Sequence, residues 1–265
     1  MEKVENKEKD EILNSQRVIF HQILSPLVSM RNSLKYLNLL LIKDMINLDK
    51  KNILELRIEE ITNTLESTVD LIKLNQFFLG SIINREKIVP QWEKTSISSF
   101  IIEKASTHQR QANLLRGLNI HIDIVDLKYP RINTDPSLLG HIMQILISNA
   151  IKYSYSHLKN EYSDSKNPIY APPNTPNEVN IIVQYFEKEK EYGITVENWG
   201  LPIKEEETKL LPTQYMQRGN NAETFDINGT GIGLFSVNII AEALNGKIEI
   251  DAVDDRTKIS VKFKY

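Results

Sequence analysis

The stretch "GTGIGLFSVNIIAEALNG", residues 229–246, decides the fold of the second half of this chain. Three alternating glycines precede and open an apolar run, which the pair "NG" ends, so the pattern predicts a helix from Gly233 to Leu244. The free N–H groups and the positive dipole end at such a helix start can hold phosphate. A dinucleotide fold is excluded, because no parallel βαβ unit with an acidic residue about twenty positions later follows.

A second helix is predicted upstream by "TDPSLLGHIMQILISNAIKYS", residues 134–154, where Thr134 or Asp135 can cap the helix and Pro136 suits its first turn. Its buried stripe consists of Leu138, Ile142, Ile145 and Leu146, and Asn149 falls on the same stripe. Taken alone, such an asparagine is usually satisfied by a neighbouring backbone group. The glycine-rich stretch favours a functional role instead.

Strand patterns fill the rest of this half. The segment "LNIHIDIVD", residues 118–126, alternates isoleucines toward one face, and "EVNIIVQYF" and "EYGITVENW" form a hairpin through the turn "EKEK". The chain ends in a second hairpin, "KIEIDAVDDRTKISVKFKY". Residues 160–178 contain four prolines and are predicted to be a loop. The expected architecture is α+β, a sheet with helices on it.

The first part of the chain has a different pattern. Between residues 10 and 79 there is no glycine, and Pro26 is the only proline, as long helices require. A heptad seam is formed by Phe20, Ile23, Leu27, Met30, Leu34, Leu37 and Leu41, and a second run by Leu54, Ile58, Ile61, Leu65 and Ile72. We predict a helical hairpin over residues 10–85, which pairs as a homodimer into a four-helix bundle, and a second domain over 86–265.

Composition bounds the class of protein. The chain has 265 residues, 41% of them hydrophobic and 25% charged, which is ordinary for one or two globular domains. The net charge of −3 argues against nucleic-acid binding, and the absence of cysteine excludes disulfides and thiolate metal sites. The charged N-terminus is unlike a signal peptide, and the run "LNLLLI" is too short to cross a bilayer, so we expect a cytoplasmic protein.

Three motifs stand in a fixed order: "SNAIKY" at 148–153, "VENWGLPI" at 196–203 and "RGNNAETFDINGTGIGL" at 218–234. Over residues 130–250 their order and spacing resemble the ATP-binding domain shared by sensor histidine kinases, type II topoisomerases and mismatch-repair ATPases. The resemblance implies an α/β-sandwich domain of the Bergerat type that binds ATP with Mg²⁺.

The resemblance also assigns roles. Asn149 would ligate the Mg²⁺ that bridges the phosphates, Lys152 and Tyr153 would line the phosphates, and Asn198 would face adenine. The segment at 218–234 would contain the lid of the site, and Gly229, Gly231 and Gly233 would let the lid backbone approach the phosphates. The remaining residues assigned to the nucleotide are Gly200, Arg218, Thr230 and Leu234.

Several positions depart from the family pattern. Ile145 stands where a second asparagine is frequent, and Asn198 replaces an aspartate, which leaves an uncharged acceptor about half as strong. Pro202 replaces a glycine and so removes a donor and any positive φ, whereas Gly200 keeps the closest backbone approach. We expect nucleotide binding that is weakened but not lost.

The segment "FHQILSPL", residues 20–27, resembles the phospho-acceptor box of histidine kinases. His21 falls at an outer heptad position, where its imidazole can reach a γ-phosphate, and Pro26 should bend the helix beyond it. Gln22 stands where the family has a carboxylate that acts as general base, and glutamine cannot accept that proton. The other histidines are expected to have no role: His108, His121, His141 and His157.

These observations predict the catalytic core of a sensor histidine kinase, with autophosphorylation on His21 and transfer to an aspartate of a response-regulator receiver domain. No sensor domain precedes residue 10, so input is expected from a separate sensor, a membrane partner or a part of the protein outside this sequence. Two alternatives remain open. One is a degenerate kinase that acts as a binding or scaffold protein, and the other is an ATP-driven machine of the topoisomerase kind.

Overall fold

The structure is a computed structural model that describes residue 61 and residues 88–125, 129–158, 169–214, 217–224 and 231–264. Residues 88–265 form one compact unit. Apart from Ile61, the predicted helical hairpin, with His21 and Gln22, lies outside the described residues, as do Gly229, Thr230 and residues 160–168 of the predicted loop over 160–178. The domain boundary near residue 85 therefore stays a prediction.

The described elements are strands and helices mixed along the chain. The strands are β1 (Glu93–Ser96), β2 (Asn119–Val125), β3 (Arg131–Thr134), β4 (Glu178–Phe186), β5 (Glu191–Trp199), β6 (Gly246–Val253) and β7 (Arg256–Lys264). The helices are α1 (Ile97–Arg116), α2 (Pro136–Tyr153), α3 (Glu205–Leu210), α4 (Asn220–Thr224) and α5 (Gly233–Ala243). This mixed α+β fold confirms the predicted class.

Five strands form the main sheet in the order β2-β4-β5-β7-β6. Strands β4 and β5 pair antiparallel through the turn at residues 187–190, and β6 pairs antiparallel with β7, so both predicted hairpins are present. Strand β2 joins β4 in parallel, and β1 pairs with β3 in a separate two-stranded ribbon. In β2 the alternation is weaker than expected, because Ile124 is exposed.

Helix α2 packs against both α1 and α5, and the three helices pack onto the sheet, which makes a two-layer domain. In β4 and β7 every second residue is buried, including Val179, Ile181 and Val183 of β4. In α2 the predicted stripe is buried except at Ile145, which is half-buried, as is Asn149. Within the described ranges, no helix has the length and apolar character needed to span a membrane.

Candidate nucleotide site

Helix α2 carries the first group of predicted site residues at its C-terminal end. At its start, one carboxylate oxygen of Asp135 accepts hydrogen bonds from the backbone N–H groups of Ser137 (2.9 Å) and Leu138 (3.1 Å). The other oxygen accepts from the backbone N–H of Gln91 at 2.8 Å. Pro136 occupies the first turn, where its missing N–H costs nothing. The predicted cap is thus confirmed at Asp135, and it also ties the chain before β1 to this helix.

The start of α5 packs directly against α2. A Cβ atom added at Gly233 would stand 3.2 Å from Cγ2 of Ile145 and 3.6 Å from Nδ2 of Asn149. Gly231 has a φ of 71°, a left-handed conformation that glycine adopts without steric cost. The fold therefore brings the asparagine of the first motif beside the glycines of the last, although they are separated by about eighty residues in the sequence.

Lys152 follows Asn149 by three residues at the end of α2, and Arg218 lies close enough to act on its charge. Burial, together with the positive charge of Arg218, lowers the pKa of Lys152 to about 8. Burial raises the pKa of the neighbouring Tyr153, while Arg218 acts on it in the opposite direction. The Nζ atom of Lys152 lies 5.0 Å from the centre of the Tyr153 ring, within range of a cation–π contact. These two cations are partly desolvated and repel each other. An anionic ligand such as a phosphate chain would reduce that repulsion.

A buried carboxylate anchors the segment that carries Arg218. Glu207 accepts from the backbone N–H of Lys204 at 3.0 Å and from that of Asn220 at 2.7 Å. A guanidinium nitrogen of Arg218 in turn donates to the carbonyl of Ala222 in α4 at 3.2 Å. Sequence reasoning missed Glu207. Its signal was the acidic residue in the first turn of a short helix, the position from which a side chain reaches back to the helix start.

Gly200 is fixed by its contact with the end of α2. The backbone N–H of Leu201 donates to the carbonyl of Tyr153 at 3.0 Å, and that of Gly200 donates to the carbonyl of Asp255 at 2.7 Å. A Cβ atom at position 200 would collide with the carbonyl oxygen of Tyr153. The close backbone approach predicted for Gly200 is therefore made to α2, and it joins the first glycine motif to the asparagine motif.

The altered turn after Gly200 is tied to the neighbouring helix α4. Pro202 is exposed, and its carbonyl accepts a hydrogen bond of 2.6 Å from the side-chain amide of Asn221. Pro202 has no positive φ, as expected for proline. With proline at position 202 the turn cannot adopt the positive φ that is open to glycine, and it contacts the segment that follows Arg218.

Asn198 lies on the helix-covered face of the sheet. It is only 6% exposed and lies on the same face of β5 as the buried side chains of Ile194 and Val196. Its register partner on β7 is Thr257, which is buried as well. Two adjacent buried polar residues on an otherwise apolar face indicate a place for a polar ligand group. Sequence reasoning missed Thr257, although strict alternation in "TKISVKF" puts it on the buried face.

Two further residues of interest, Leu234 and Ser236, lie at the start of α5. Leu234 is half-buried in the first turn of α5. Ser236, two residues further, is fully buried, and its hydroxyl has no hydrogen-bond partner within the described part of the chain. Ser236 is the third residue, after Glu207 and Thr257, that the sequence did not single out.

The metal prediction can be tested against donor chemistry. The described residues contain no group of three or more His, Cys, Asp or Glu side chains that could hold a metal ion. An amide oxygen such as that of Asn149 suits Mg²⁺, which accepts few protein ligands and keeps several waters. The residues present therefore fit a magnesium ion that arrives with phosphate oxygens, and do not fit one bound by protein carboxylates.

Comparison with known proteins agrees with this geometry. Residues 134–265 match the family described as histidine kinase-, DNA gyrase B-, and HSP90-like ATPase. The chain is 26% identical over 256 residues to the sensor protein kinase WalK of Staphylococcus aureus, covering 96% of this chain and 52% of that protein. The same protein of strain JH9 is matched at 26% identity over 36% of its length. The chain thus spans about half or less of these relatives.

Two solved structures share the fold. The Acinetobacter baumannii histidine kinase AdeS superposes with a TM-score of 0.54 at 16% identity, over 92% of this chain and 97% of AdeS. Full-length ShkA in complex with AMPPNP gives a TM-score of 0.55 at 14% identity, over 78% of this chain and 38% of ShkA. The family match covers residues 134–265, which is 132 of the 265 residues of the chain. The findings together support a sensor histidine kinase catalytic core.

Proposed function

We propose that this protein uses ATP to phosphorylate His21 and passes the phosphoryl group to an aspartate of a response-regulator receiver domain. The observation that carries the proposal is the junction of α2 and α5, where Asn149 lies beside Gly233. Lys152 and Arg218 provide positive charge near the same place. This combination suits a polyphosphate better than any other common ligand, because it offers cations, a helix start and a single amide ligand.

Each residue of the site then has a role in binding ATP. The N–H groups at the start of α5, with Lys152 and Arg218, bind the phosphates. Asn198 accepts a hydrogen bond from the adenine amino group at the base of the pocket, next to Thr257. Asn149 holds Mg²⁺, which neutralises phosphate charge when it is bound. Catalysis is then mainly positioning and electrostatic stabilisation, as is usual in phosphoryl transfer.

The transfer to His21 forms one bond and breaks one. A ring nitrogen of His21 bonds to the γ-phosphorus, the bond from that phosphorus to the bridging oxygen breaks, and ADP leaves. The imidazole must also lose its ring proton to water or a base. Gln22 cannot take that proton, so we expect transfer to be slow rather than absent. In the next step the phosphoryl group leaves the imidazole for the carboxylate of the receiver domain, which makes the kinase a transient phosphoprotein.

The assembly completes the proposal. The heptad seam over residues 10–85 pairs two chains into a four-helix bundle, which presents His21 on its outside. ATP is a cytoplasmic substrate, so this part of the protein acts in the cytoplasm. Because the chain spans about half or less of its curated relatives, the signal enters through a separate sensor, a membrane partner or a further part of the protein. Neither the scaffold alternative nor the topoisomerase-like machine is favoured by any particular contact in the described site.

Incubation with ATP labelled at the γ-phosphate tests the proposal. Asn149→Ala should abolish both labelling of the protein and magnesium-dependent ATP binding measured by calorimetry. Ser148→Ala is the matched control, because Ser148 is the exposed neighbour on the same helix and should leave both unchanged. Hydrolysis of ATP without labelled protein would support the machine alternative. If the parent protein neither binds nor hydrolyses ATP, the result would favour the scaffold alternative.

A further inference from the structure

A cavity of about 750 Å³ lies on the compact unit formed by residues 88–265. It opens beside the ribbon of β1 and β3 and is lined by the ends of β7 and α5. Its volume is within the range of 300–1,000 Å³ that is typical of small-molecule sites. None of the residues assigned to the nucleotide lines it.

The cavity is far from the nucleotide site along the sheet. Tyr192 of β5 and Phe263 of β7 line the cavity and are register partners. Asn198 and Thr257 are register partners at the other end of the same two strands. Six residues of extended strand separate the two pairs, a distance of roughly 20 Å. A ligand of the cavity would therefore not occupy the nucleotide site.

The floor of the cavity is aromatic. Tyr192 and Phe263 are buried, and the hydroxyl of Tyr192 donates to the carbonyl of Tyr129 at 2.6 Å, which fixes the ring. Trp92 borders the cavity and is 43% exposed, so a large part of its ring surface faces solvent. Exposed indole next to buried rings offers a flat apolar surface on which a planar ligand can stack.

The rim of the cavity is positively charged. Lys94 pairs with Asn133 across the ribbon, so Lys94 and Arg131 are diagonal neighbours on one face, with Cβ atoms about 7 Å apart. Lys264 adds a third cation, although Glu191 lies opposite it in the strand ladder. Among the described residues that line the cavity there is no aspartate or glutamate. Like charges placed side by side repel each other, and an anion between them would remove that repulsion.

We propose that this cavity binds a small organic anion, in which an aromatic body stacks on Trp92 and a carboxylate or sulfonate group meets Lys94 and Arg131. Stacking on Trp92, which is 43% exposed, supplies most of the affinity because it buries the apolar surface of the indole ring. The two cations select for negative charge. The site is independent of the nucleotide and offers a place where a small molecule can act on the domain.

Isothermal titration calorimetry on the full chain, with 2-naphthoate and the neutral 2-naphthamide as probes, tests this inference. We expect 2-naphthoate to bind with one-to-one stoichiometry and the amide at least about fivefold more weakly, since partly exposed ion pairs contribute modestly. The double variant Lys94→Gln with Arg131→Gln should lower naphthoate affinity to that of the amide. Lys209→Gln, an exposed change at the nucleotide end of the domain, is the matched control and should have no effect.

The position of the probe is checked separately. Binding should quench tryptophan fluorescence, and Trp92→Phe should remove that quenching, since Trp199 lies at the other end of β5. A saturating concentration of ADP should not displace the probe. The inference is overturned if 2-naphthoate does not bind at millimolar concentration, if acid and amide bind equally, if the double variant binds like the parent protein, or if ADP competes. The acid and amide comparison uses unaltered protein, so it remains decisive even if a variant fails to fold.

Discussion

The side-chain amide of Asn149 in α2 lies 3.6 Å from the position that a Cβ atom of Gly233 in α5 would occupy. This contact joins two motifs that the chain separates by two hairpin strands and the lid segment. A Cβ atom at position 233 would stand 3.2 Å from Cγ2 of Ile145, closer than an ordinary contact, so the Ile145 side chain would have to shift. The glycine thus sets the distance between the helix start that can bind phosphate and the residue that can hold its metal ion.

The contact between Gly200 and Tyr153 predicts a stability effect. Gly200→Ala should lower the free energy of unfolding by about 1–3 kcal/mol or more, because the new Cβ collides with a backbone carbonyl that cannot rotate away. Gly140→Ala is the control, since its Cβ would meet only side-chain atoms at 3.6 Å or more within helix α2. That change should raise stability by up to about 1 kcal/mol. Urea denaturation measures both, and a Gly200→Ala protein as stable as the parent would contradict the close contact.

The lowered pKa of Lys152 predicts how ATP binding depends on pH. With a pKa of about 8, Lys152 is mostly charged at pH 7 and mostly neutral at pH 9. The neutral amine cannot attract phosphate, so the dissociation constant for ATP should rise above pH 8 by up to about tenfold per pH unit. In Lys152→Gln, binding should be weak at pH 7 and should lose this dependence, whereas Lys209→Gln should keep it. The same profile in Lys152→Gln and in the parent would assign the titration to another group.

Replacing Asn198 with aspartate, the residue expected at this position of the motif, should increase the affinity for ATP. Asn198→Asp is expected to tighten ATP binding severalfold, because a charged acceptor makes a hydrogen bond roughly twice as strong. The buried position adds a cost, so the protein without nucleotide should be less stable than the parent. Gln184→Glu adds the same charge on the opposite, half-buried face of the sheet and should not change ATP affinity. Weaker binding in Asn198→Asp would mean that this residue does not meet the adenine amino group.

Removing residues 1–85 should leave a folded monomer. The predicted seam lies wholly in that segment, whereas residues 88–265 form a compact unit with its own core. The hydrogen bond from Gln91 to Asp135 stays within the remaining part. Light scattering should report a dimer for the full chain and a monomer for the truncated one. A truncated protein that stays dimeric would show that the hairpin is not what holds the dimer together.

The sequence predicted those elements whose signals are local. Proline at the first turn and aspartate before it define the start of α2, and period-two alternation defines both hairpins. Helix α1 was missed, although it has 20 residues, because its apolar residues are interrupted by the polar run "EKASTHQRQ". Its end is marked by Gly117, which has a φ of 69°. The helix propensity of this polar run is weak, and the packing of α1 against β2 and α2 stabilises the helix.

Non-local relationships explain the other omissions. The parallel pairing of β2 with β4 joins strands more than fifty residues apart, and no turn chemistry signals it. The partnership of Asn198 with Thr257 likewise depends on the register between β5 and β7. Glu207 stabilises two loops at once, which becomes apparent only when both are folded. The order of the motifs did predict that the segments with Asn149 and Gly233 meet. The resemblance to the ATP-binding domain implied that these motifs form one site, which composition alone could not indicate.

The absent carboxylate after His21 predicts a slow reaction that one substitution can accelerate. Gln22→Glu should raise the autophosphorylation rate, by up to the roughly 10²- to 10⁴-fold that a positioned general base supplies, and by less if lid closure is limiting. Stopped reactions with labelled ATP measure this rate. An unchanged rate would show that water or another group removes the imidazole proton. Gln16→Glu, a change of the same kind in the same N-terminal segment, serves as the control for added charge.

The identity of the phosphorylated atom tests the central claim most directly. The full chain is incubated with γ-labelled ATP and Mg²⁺, and the labelled protein is then exposed to acid and to alkali in parallel. We expect label that acid removes and alkali does not, as for a phosphorus–nitrogen bond, and none in His21→Ala, whether residue 22 is glutamine or glutamate. Label that persists in His21→Ala, or that resists acid, would contradict the account of this protein as a histidine kinase that phosphorylates His21.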